Sequence, residues 1–191
     1  DALTAFATYG YSIVDYTFTD HFHKNAAGGE NYVDSGNLNG QQIKGGLNYR
    51  FTKSLSAYVN AGWVSKTPIF DGAIDDTAGV KVPDPVNEKF ISYEGWIRWD
   101  SANQKVYFAA NIYHTIWKDR TEASVNEKAD LVTYQRGINT KNEGFEFEGA
   151  YKPNHWVRFD VSASFGNWTY TDDVAYQQYQ LSTRQAVPTT G

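Results

Sequence analysis

The chain has 191 residues, a formal net charge of -5 and no cysteine. The missing cysteines exclude disulfide bonds and thiolate metal sites, and the absence of a basic stripe argues against a nucleic-acid partner. No apolar run reaches the roughly 18 residues of a membrane-spanning helix. The opening residues DALTAF carry no leader, so any signal peptide lies outside this chain.

Aromatic residues make up 16% of the chain, with 14 Tyr and 6 Trp, and this composition favours strands. Apolar and polar side chains alternate over several segments, and no segment of useful length shows the three-to-four spacing of an amphipathic helix. In chain order, the predicted strands are residues 4–18, 41–51, 55–66, 90–100, 105–117, 142–152 and 155–170.

The predicted strands are joined alternately by long polar loops and by short turns. The turns read TKS, SANQ and KPN, and they are rich in turn-forming residues. The long loops are residues 19–40, 67–89 and 118–141. Outer-membrane barrels have short turns at one end and long loops at the other, so the alternation predicts an antiparallel sheet whose strands follow one another up and down.

On four of these strands, residues 41–51, 55–66, 90–100 and 105–117, one face lacks Asp, Glu, Lys and Arg, while the opposite face of the sheet carries charges. We expect the first face, with Leu47, Val59, Ile97, Phe108, Phe147 and Phe159, to point away from a barrel axis. The charged face is predicted to line a lumen and holds Lys44, Arg50, Glu94, Arg98, Glu146, Glu148, Arg158 and Asp160. A charge facing lipid at mid-bilayer costs roughly 2–4 kcal/mol. The pattern therefore favours an all-β, antiparallel, up-and-down transmembrane β-barrel segment of about seven strands over a soluble sandwich.

Four segments, in order and with matching spacing, resemble the barrel of TonB-dependent outer-membrane receptors. LSAYVNAGWVSKTPIFDG resembles the family's aromatic strand running into a Lys/Arg-x-Pro-x-Phe loop, and NEKFISYEGWIRW resembles the strand that follows. NIYHTIWKDRT resembles a strand ending in Lys-Asp, here Lys118 and Asp119. The block NEGFEFEGAYKPNHWVRFDVSASFGNWTYTD matches through Gly144, Phe145, Glu146, Glu148, Tyr151, Pro153 and Trp156.

The resemblance runs from about residue 40 to residue 173, and two departures qualify it. The family's Pro-Glu-Lys sequence is altered, because Pro85 lies three residues before Glu88. A plug domain, a TonB-contacting box and a terminal strand ending in an aromatic residue have no counterpart. We therefore expect residues 1–191 to be a partial receptor barrel, since about seven strands do not close the roughly 22-stranded barrel of this class.

The resemblance implies a receptor and transporter of the cell outer membrane rather than an enzyme, with no cofactor of its own. Such a receptor takes up an iron-siderophore, haem, cobalamin or an oligosaccharide, driven by TonB through a plug domain outside this chain. Outer-membrane lipid and a surface lipoprotein are the other candidate partners. Aromatic residues of the long loops are candidate ligand contacts, namely Phe22, Tyr32, Phe70 and Tyr134.

The paired carboxylates Glu146 and Glu148 suggest a glycosidase dyad, because an i,i+2 strand pair approaches the spacing of retaining enzymes. Arg50, Arg98 and Arg158 share their predicted face, however, so a wall of ion pairs is the simpler interpretation. His114 is alone on the outward face near a strand end, where it is interpreted as an interfacial residue.

Two loop clusters suggest metal binding. His21 and His23, beside Asp20, are candidate ligands for a transition metal, although a polar loop explains them more simply. Asp71, Asp75, Asp76 and Asp84 could supply oxygen ligands to Ca²⁺, but their spacing does not match the twelve-residue calcium loop. A solvated loop is the preferred interpretation there.

Three other functional classes stay open at this point. A passive porin-like or structural outer-membrane barrel would lack a plug in the parent reading frame. A soluble β-sandwich binding module would not partition into detergent micelles. An outer-membrane hydrolase is the fourth class.

Overall fold

The structure is a computed structural model that describes residues 2–24, 27–128 and 130–188. The elements in chain order are β1 Leu3–Val14, β2 Thr17–Lys24, β3 Glu30–Asp34, β4 Leu38–Arg50, β5 Leu55–Lys66, α1 Phe70–Ala73, β6 Ile74–Asp75, β7 Val80–Lys81, β8 Glu88–Asp100, β9 Val106–Val125, β10 Leu131–Tyr151, β11 Phe159–Tyr170, β12 Tyr176–Gln180 and β13 Ala186–Val187. Among the described residues, no helix has the length and apolarity needed to span a membrane.

Nine strands form one antiparallel sheet, and its long strands follow chain order. The path runs β1-β4-β5-β8-β9-β10. The free edge of β10 is shared, since β11 pairs with residues 140–151 and β12 pairs with residues 131–135. The prediction of an antiparallel sheet with long strands in sequence order is confirmed.

Polar side chains fold the three short turns. Thr52 Oγ1 accepts hydrogen bonds from the backbone N–H groups of Ser54 and Leu55. Asn154 Oδ1 does the same for the N–H groups of Trp156 and Val157. Because these side chains satisfy backbone donors locally, each chain reversal needs only a few residues. The third turn accordingly holds residues 155–158, and the last long strand begins at Phe159 rather than at residue 155.

The cross-strand register separates two faces, which we call the apolar face and the polar face. One row of the apolar face is Leu47, Val59, Gly95, Ile112, Phe145 and Phe165. One row of the polar face is Arg50, Ser56, Arg98, Ala109, Glu148 and Ser162. The two sets of residues predicted to lie on opposite faces do so. That the polar face lines a lumen stays a prediction.

The apolar face is uncovered. Ile112 is 62% exposed and Phe165 is 68% exposed. The buried hydrophobic residues of the described chain lie instead almost entirely at the long-loop end, namely Val33, Leu38, Ala73, Ile74, Val132, Tyr134, Ile138 and Tyr179, with Ala109 as the exception on the polar face. The sheet therefore does not bury its own apolar surface.

The long-loop end is more ordered than the sequence predicts. Within residues 19–40, β2 and β3 pair as a separate hairpin. Within residues 67–89, α1 is followed by the small hairpin β6–β7. The first long strand ends at Val14 rather than at residue 18 because the chain turns into this hairpin.

The prediction of a long loop over residues 118–141 is wrong. Strand β9 continues to Val125, β10 begins at Leu131, and only residues 126–130 connect them. The register shifts near Gly137, whose φ of 86° is readily adopted only by glycine, and pairing then continues. Burial still alternates along this part of β10, because Val132, Tyr134 and Ile138 on one face are buried, but the intervening polar residues conceal the pattern in the sequence.

Candidate functional site

We use the name loop layer for the β2–β3 hairpin, residues 67–81, and the β12–β13 segment, together with the ends of β9 and β10 that contact them. The even-numbered residues of β10 that contact this layer, such as Tyr134, lie on the same face as Glu146 and Glu148. The loop layer therefore covers one end of the polar face.

Aromatic contacts join the hairpin to residues 67–81. The ring of Phe70 lies edge-on to Tyr16, with centroids 5.8 Å apart, and also contacts Phe18 at 6.2 Å. The hydroxyl of Tyr16 donates to the carbonyl oxygen of Pro68 at 3.3 Å. Phe70, a predicted ligand contact, is thus part of the packing that holds the loop layer together.

Tyr134 joins residues 67–81 to the sheet. Its hydroxyl donates to Asp76 Oδ1 at 2.6 Å and lies 3.1 Å from Thr77 Oγ1. The ring packs edge-on against Tyr179, and burial together with the Asp76 carboxylate raises the pKa of the Tyr134 phenol. The expectation that Tyr134 is a loop residue available to a ligand is wrong, because it lies on β10 and is 3% exposed.

Asp20 joins the hairpin to the C-terminal segment. Its carboxylate lies 2.5 Å from the guanidinium of Arg184 and accepts hydrogen bonds from the N–H groups of Phe22 and His23. Burial would raise the pKa of Asp20, but these donors and Arg184 outweigh it and lower the pKa to about 2. The buried carboxylate therefore stays charged and holds two distant segments together.

The two loop histidines each face a carboxylate. His21 Nδ1 lies 3.0 Å from Glu30, and His23 Nδ1 lies 3.1 Å from Asp20. No group of three or more His, Asp or Glu side chains in the described residues is arranged to hold a metal ion. The structure thus places the two candidate ligands against different carboxylates.

The aspartates of residues 71–76 surround an arginine. The guanidinium of Arg136 donates to the carbonyl oxygen of Asp71 at 3.0 Å and lies 3.7 Å from the carboxylate of Asp75. Burial, followed by the charge of Asp76, raises the pKa of Asp71. Arg136 therefore partly neutralises the negative charge that would attract a calcium ion. Asp84 takes no part in these contacts.

Two predicted ligand contacts remain accessible on the hairpin. Phe22 is 92% exposed and Tyr32 is 60% exposed. Aromatic side chains with so much free surface are suited to contact a hydrophobic ligand or a sugar ring. Phe22 follows Asp20 closely, so the ion pair with Arg184 also helps to position it.

Below the loop layer, the polar face holds a carboxylate pocket of about 500 Å³, lined in part by Glu94, Glu146, Glu148 and Trp96. Glu94 accepts a hydrogen bond from Asn60 at 2.7 Å, and Glu146 accepts one from Asn111 at 3.3 Å. None of the three glutamates forms a salt bridge within the described chain. The pocket therefore presents three carboxylates without a salt-bridge partner among the described residues, although Glu148 also interacts with Arg98 and Tyr107.

The expected wall of ion pairs between these glutamates and the arginines is wrong. Arg98 instead pairs with Asp100 at 2.8 Å, and Arg158 pairs with Asp160 at 2.7 Å. Arg98 and Asp100 lie two residues apart on β8, and Arg158 lies two residues before Asp160 at the start of β11. Side chains two residues apart on a strand point to the same face, so each arginine can pair with the nearby aspartate. Period-two alternation alone does not distinguish these short-range partners from cross-strand ones.

His114 is not alone on the apolar face. Its Nδ1 lies 3.2 Å from Glu143, and Lys141 lies 3.0 Å from the other oxygen of Glu143. His114 and Glu143 are directly opposite across β9 and β10. This charged group marks where the apolar surface of these strands ends. Lys141 falls in the predicted loop of residues 118–141, whereas Glu143 already lies on the outward face of the predicted strand 142–152 and was missed there.

Comparison with protein-family models, with curated proteins and with solved structures finds no match to this chain.

Proposed function

We propose that this chain forms part of the transmembrane barrel of a TonB-dependent outer-membrane receptor, which imports a large scarce nutrient. The observation that carries the proposal is an apolar face that stays exposed while the loop layer has its own core. A soluble sandwich would cover such a face with a second sheet. A lipid bilayer covers it instead in a membrane barrel.

The border of the apolar face supports a membrane slab, because it does not lie at the same height on all strands. On β4, β5, β8 and β9 the border lies in one row, at Ile43, Trp63, Ile91 and Ile116, but the same row holds Lys141 and Thr169 on β10 and β11. On those two strands the last large apolar residues are two rows lower, at Phe145 and Phe165. The border is therefore ~13 Å lower along the strands at this side of the sheet, and a slab that crosses tilted strands meets neighbouring strands at different heights.

The length of the apolar stretch also suits a bilayer. On β4 it runs from Ile43 to Tyr49 and continues to Phe51 just beyond the strand. A tilted transmembrane strand needs roughly nine to eleven residues to cross the hydrocarbon layer.

The two outer edges of the sheet are evidence for further strands that pair with them. The outer edge of β1 has no partner among the described residues, and the outer edge of β11 has none there either. Unpaired backbone groups in lipid cost several kcal/mol each. In the proposed receptor these edges pair with other strands of the same barrel.

In this arrangement the polar face lines the lumen and the loop layer lies at the outer mouth. The glutamates of the carboxylate pocket form no salt bridge with the described residues, so the pocket suits a positively charged surface inside the lumen. The proposed plug domain would supply that surface. Phe22 and Tyr32 are the proposed ligand contacts. The ligand class is an iron-siderophore, haem, cobalamin or an oligosaccharide.

Lipid exposure can be tested with single cysteines, because the native chain has none. A fluorophore at Val59→Cys should be quenched by brominated lipid acyl chains, whereas one at Glu146→Cys should not. Equal quenching at both positions would contradict the proposed faces. A soluble, cooperatively folding monomer obtained without detergent would instead favour the sandwich.

Energy coupling needs a separate measurement in cells. Uptake of the cognate ligand should require TonB, and it should stop when the TonB gene is deleted. Uptake that persists without TonB would favour the passive porin-like barrel.

A further inference from the structure

Each short turn of the sheet carries one lysine. Lys53 lies in the first turn, Lys105 lies at the end of the second, and Lys152 begins the third. Because β-hairpins place their turns at one end of the sheet, the three ammonium groups gather at the end opposite the loop layer. The loop layer, by contrast, is rich in aspartate.

These lysines line a basic cavity of about 460 Å³ on the polar face, together with Arg98, Arg158 and Tyr107. The guanidinium of Arg98 stacks over the ring of Tyr107, with its carbon 4.9 Å from the ring centroid. Both arginines are held in place by bidentate contacts, with Asp100 and with Asp160. These aspartates orient the two arginines and offset their charge, so the three lysines supply the net positive charge of the cavity.

Asp100 and Asp160 are already paired with the two arginines, and Glu148 interacts with Arg98 and Tyr107, so the three lysines have no anionic partner among the described residues. Lys105 donates only to the carbonyl oxygen of Pro153 at 3.0 Å. Lys53 and Lys152 make no side-chain hydrogen bond or ion pair with the described residues. Three ammonium groups around one concavity repel one another, and an anion that enters the cavity relieves this repulsion.

We propose that this basic cavity binds a phosphate group. A phosphate carries up to two negative charges and presents several acceptor oxygens, so it can bond to three lysines at once while the arginine edges complete the site. A single carboxylate has fewer oxygens to share among these donors. The cavity is small and enclosed on one side by the sheet, which suits one phosphate group better than a long polyanion.

Two sources could supply that group. One is free phosphate or a phosphorylated solute. The other is the headgroup of an anionic phospholipid, which would have to reach over the short turns from lipid on the apolar face to the cavity on the polar face. The cavity lies at the strand ends where the apolar face also ends, near Tyr151 and Phe159. The chemistry of the site is the same in both cases, and it does not depend on the proposed transport function.

The test uses the whole chain folded in octyl glucoside, a detergent without phosphate, and titrates inorganic phosphate in a calorimeter. We expect saturable binding that weakens about tenfold or more in the triple variant Lys53→Gln, Lys105→Gln, Lys152→Gln. The matched control removes three exposed lysines at the opposite end, Lys24→Gln, Lys118→Gln and Lys128→Gln. It should bind as the wild type does.

A second arm places the same proteins in vesicles of phosphatidylcholine with and without phosphatidylglycerol. Saturable binding of inorganic phosphate assigns the site to a free phosphate. Protection of Lys53, Lys105 and Lys152 from acylation only by phosphatidylglycerol assigns it to a lipid headgroup. Single-lysine variants, each expected to weaken binding by a smaller factor, replace the triple variant if that variant does not fold.

Two results would overturn the proposal. One is the absence of binding in both arms by wild-type chain whose circular dichroism shows a folded β-sheet. The other is equal weakening in the control variant, since general charge attraction would then explain the effect. Neither result bears on lipid exposure of the apolar face, which the cysteine probes report separately.

Discussion

The loop layer and the sheet beneath it solve the problem of apolar surface in opposite ways. The loop layer buries Ile74, Tyr134 and Tyr179 and satisfies their polar neighbours within the chain. The sheet leaves residues such as Ile112 and Phe165 open on its apolar face. The loop layer has a small buried core, whereas the sheet leaves its apolar face exposed. If the proposed function is correct, the two parts of the polypeptide require different surroundings.

The largest effect should come from removing detergent or lipid. The sheet then exposes its whole apolar face and two unpaired edges to water, so we expect the isolated chain to aggregate or to need denaturant. Analytical ultracentrifugation and circular dichroism, with and without detergent, measure this. A monomer that unfolds cooperatively in plain buffer would contradict the contrast between the two regions.

A charge introduced on the apolar face of β11 should lower stability more than a charge introduced on its polar face. Ala163 lies on the apolar face and the adjacent Ser164 lies on the polar face. In a bilayer, Ala163→Arg should destabilise the folded chain by about 2–4 kcal/mol, while Ser164→Arg should cost less than about 1 kcal/mol. Urea unfolding in vesicles gives both values. Similar costs for the two variants would mean that lipid does not cover the apolar face.

Loss of one hydroxyl should loosen the loop layer without disturbing the sheet. Tyr134→Phe removes the hydrogen bonds to Asp76 and Thr77 and should lower local stability by about 1–2 kcal/mol. Hydrogen exchange of residues 70–81 should then speed up, while that of residues 90–100 stays unchanged. The control is Tyr32→Phe, because Tyr32 is exposed. Equal changes in both segments would show that the two regions unfold as one unit.

The smallest effect should be a pH dependence confined to the hairpin. Asp20 has a pKa of about 2 in the folded chain, below the ordinary value of about 3.9. Its ionised form therefore stabilises the fold above about pH 4, and this contribution is lost as the pH falls through about 2. Pepsin cleavage near Phe22 should increase over that range.

The control for this pH effect is Asp20→Asn, which should be cleaved readily at every pH in the range. Arg184→Gln should weaken the hairpin and shift its loss toward higher pH, because the cation that favours the charged carboxylate is gone. A wild-type cleavage profile that stays flat between pH 4 and 2 would show that the ion pair does not hold the hairpin.

The sheet was predictable because its period of two reflects two different environments on its faces. Phe145 and Phe147 alternate with Glu146 and Glu148, and a slip of one residue would exchange the two sets. The turns were predictable for a local reason as well, since Thr52 and Asn154 bond to backbone within three residues.

From the sequence, the loop layer could be predicted only as a set of polar segments and not as a packed layer. Tyr134 was interpreted as an accessible loop residue, but its neighbours Asp76 and Tyr179 are far away in the sequence and meet it only in the folded chain. The partners of the charged residues were missed for a related reason. Period-two alternation gives the face of Arg98 and Glu148, but it does not say which of several charges on that face lies nearest.

The sequence by itself thus determined the all-β class, the order of the long strands and the residues that share each face, because these follow from local alternation and local turns. Tertiary structure alone decided the extension of β9 and β10 above the apolar face, the core of the loop layer and the pairing of Asp20 with Arg184. Those features depend on contacts between residues distant in the chain. A local sequence pattern carries no information about the free energy of such contacts. In the proposed function a membrane covers the apolar face, and this contribution comes from the surroundings of the exposed side chains rather than from contacts within the chain.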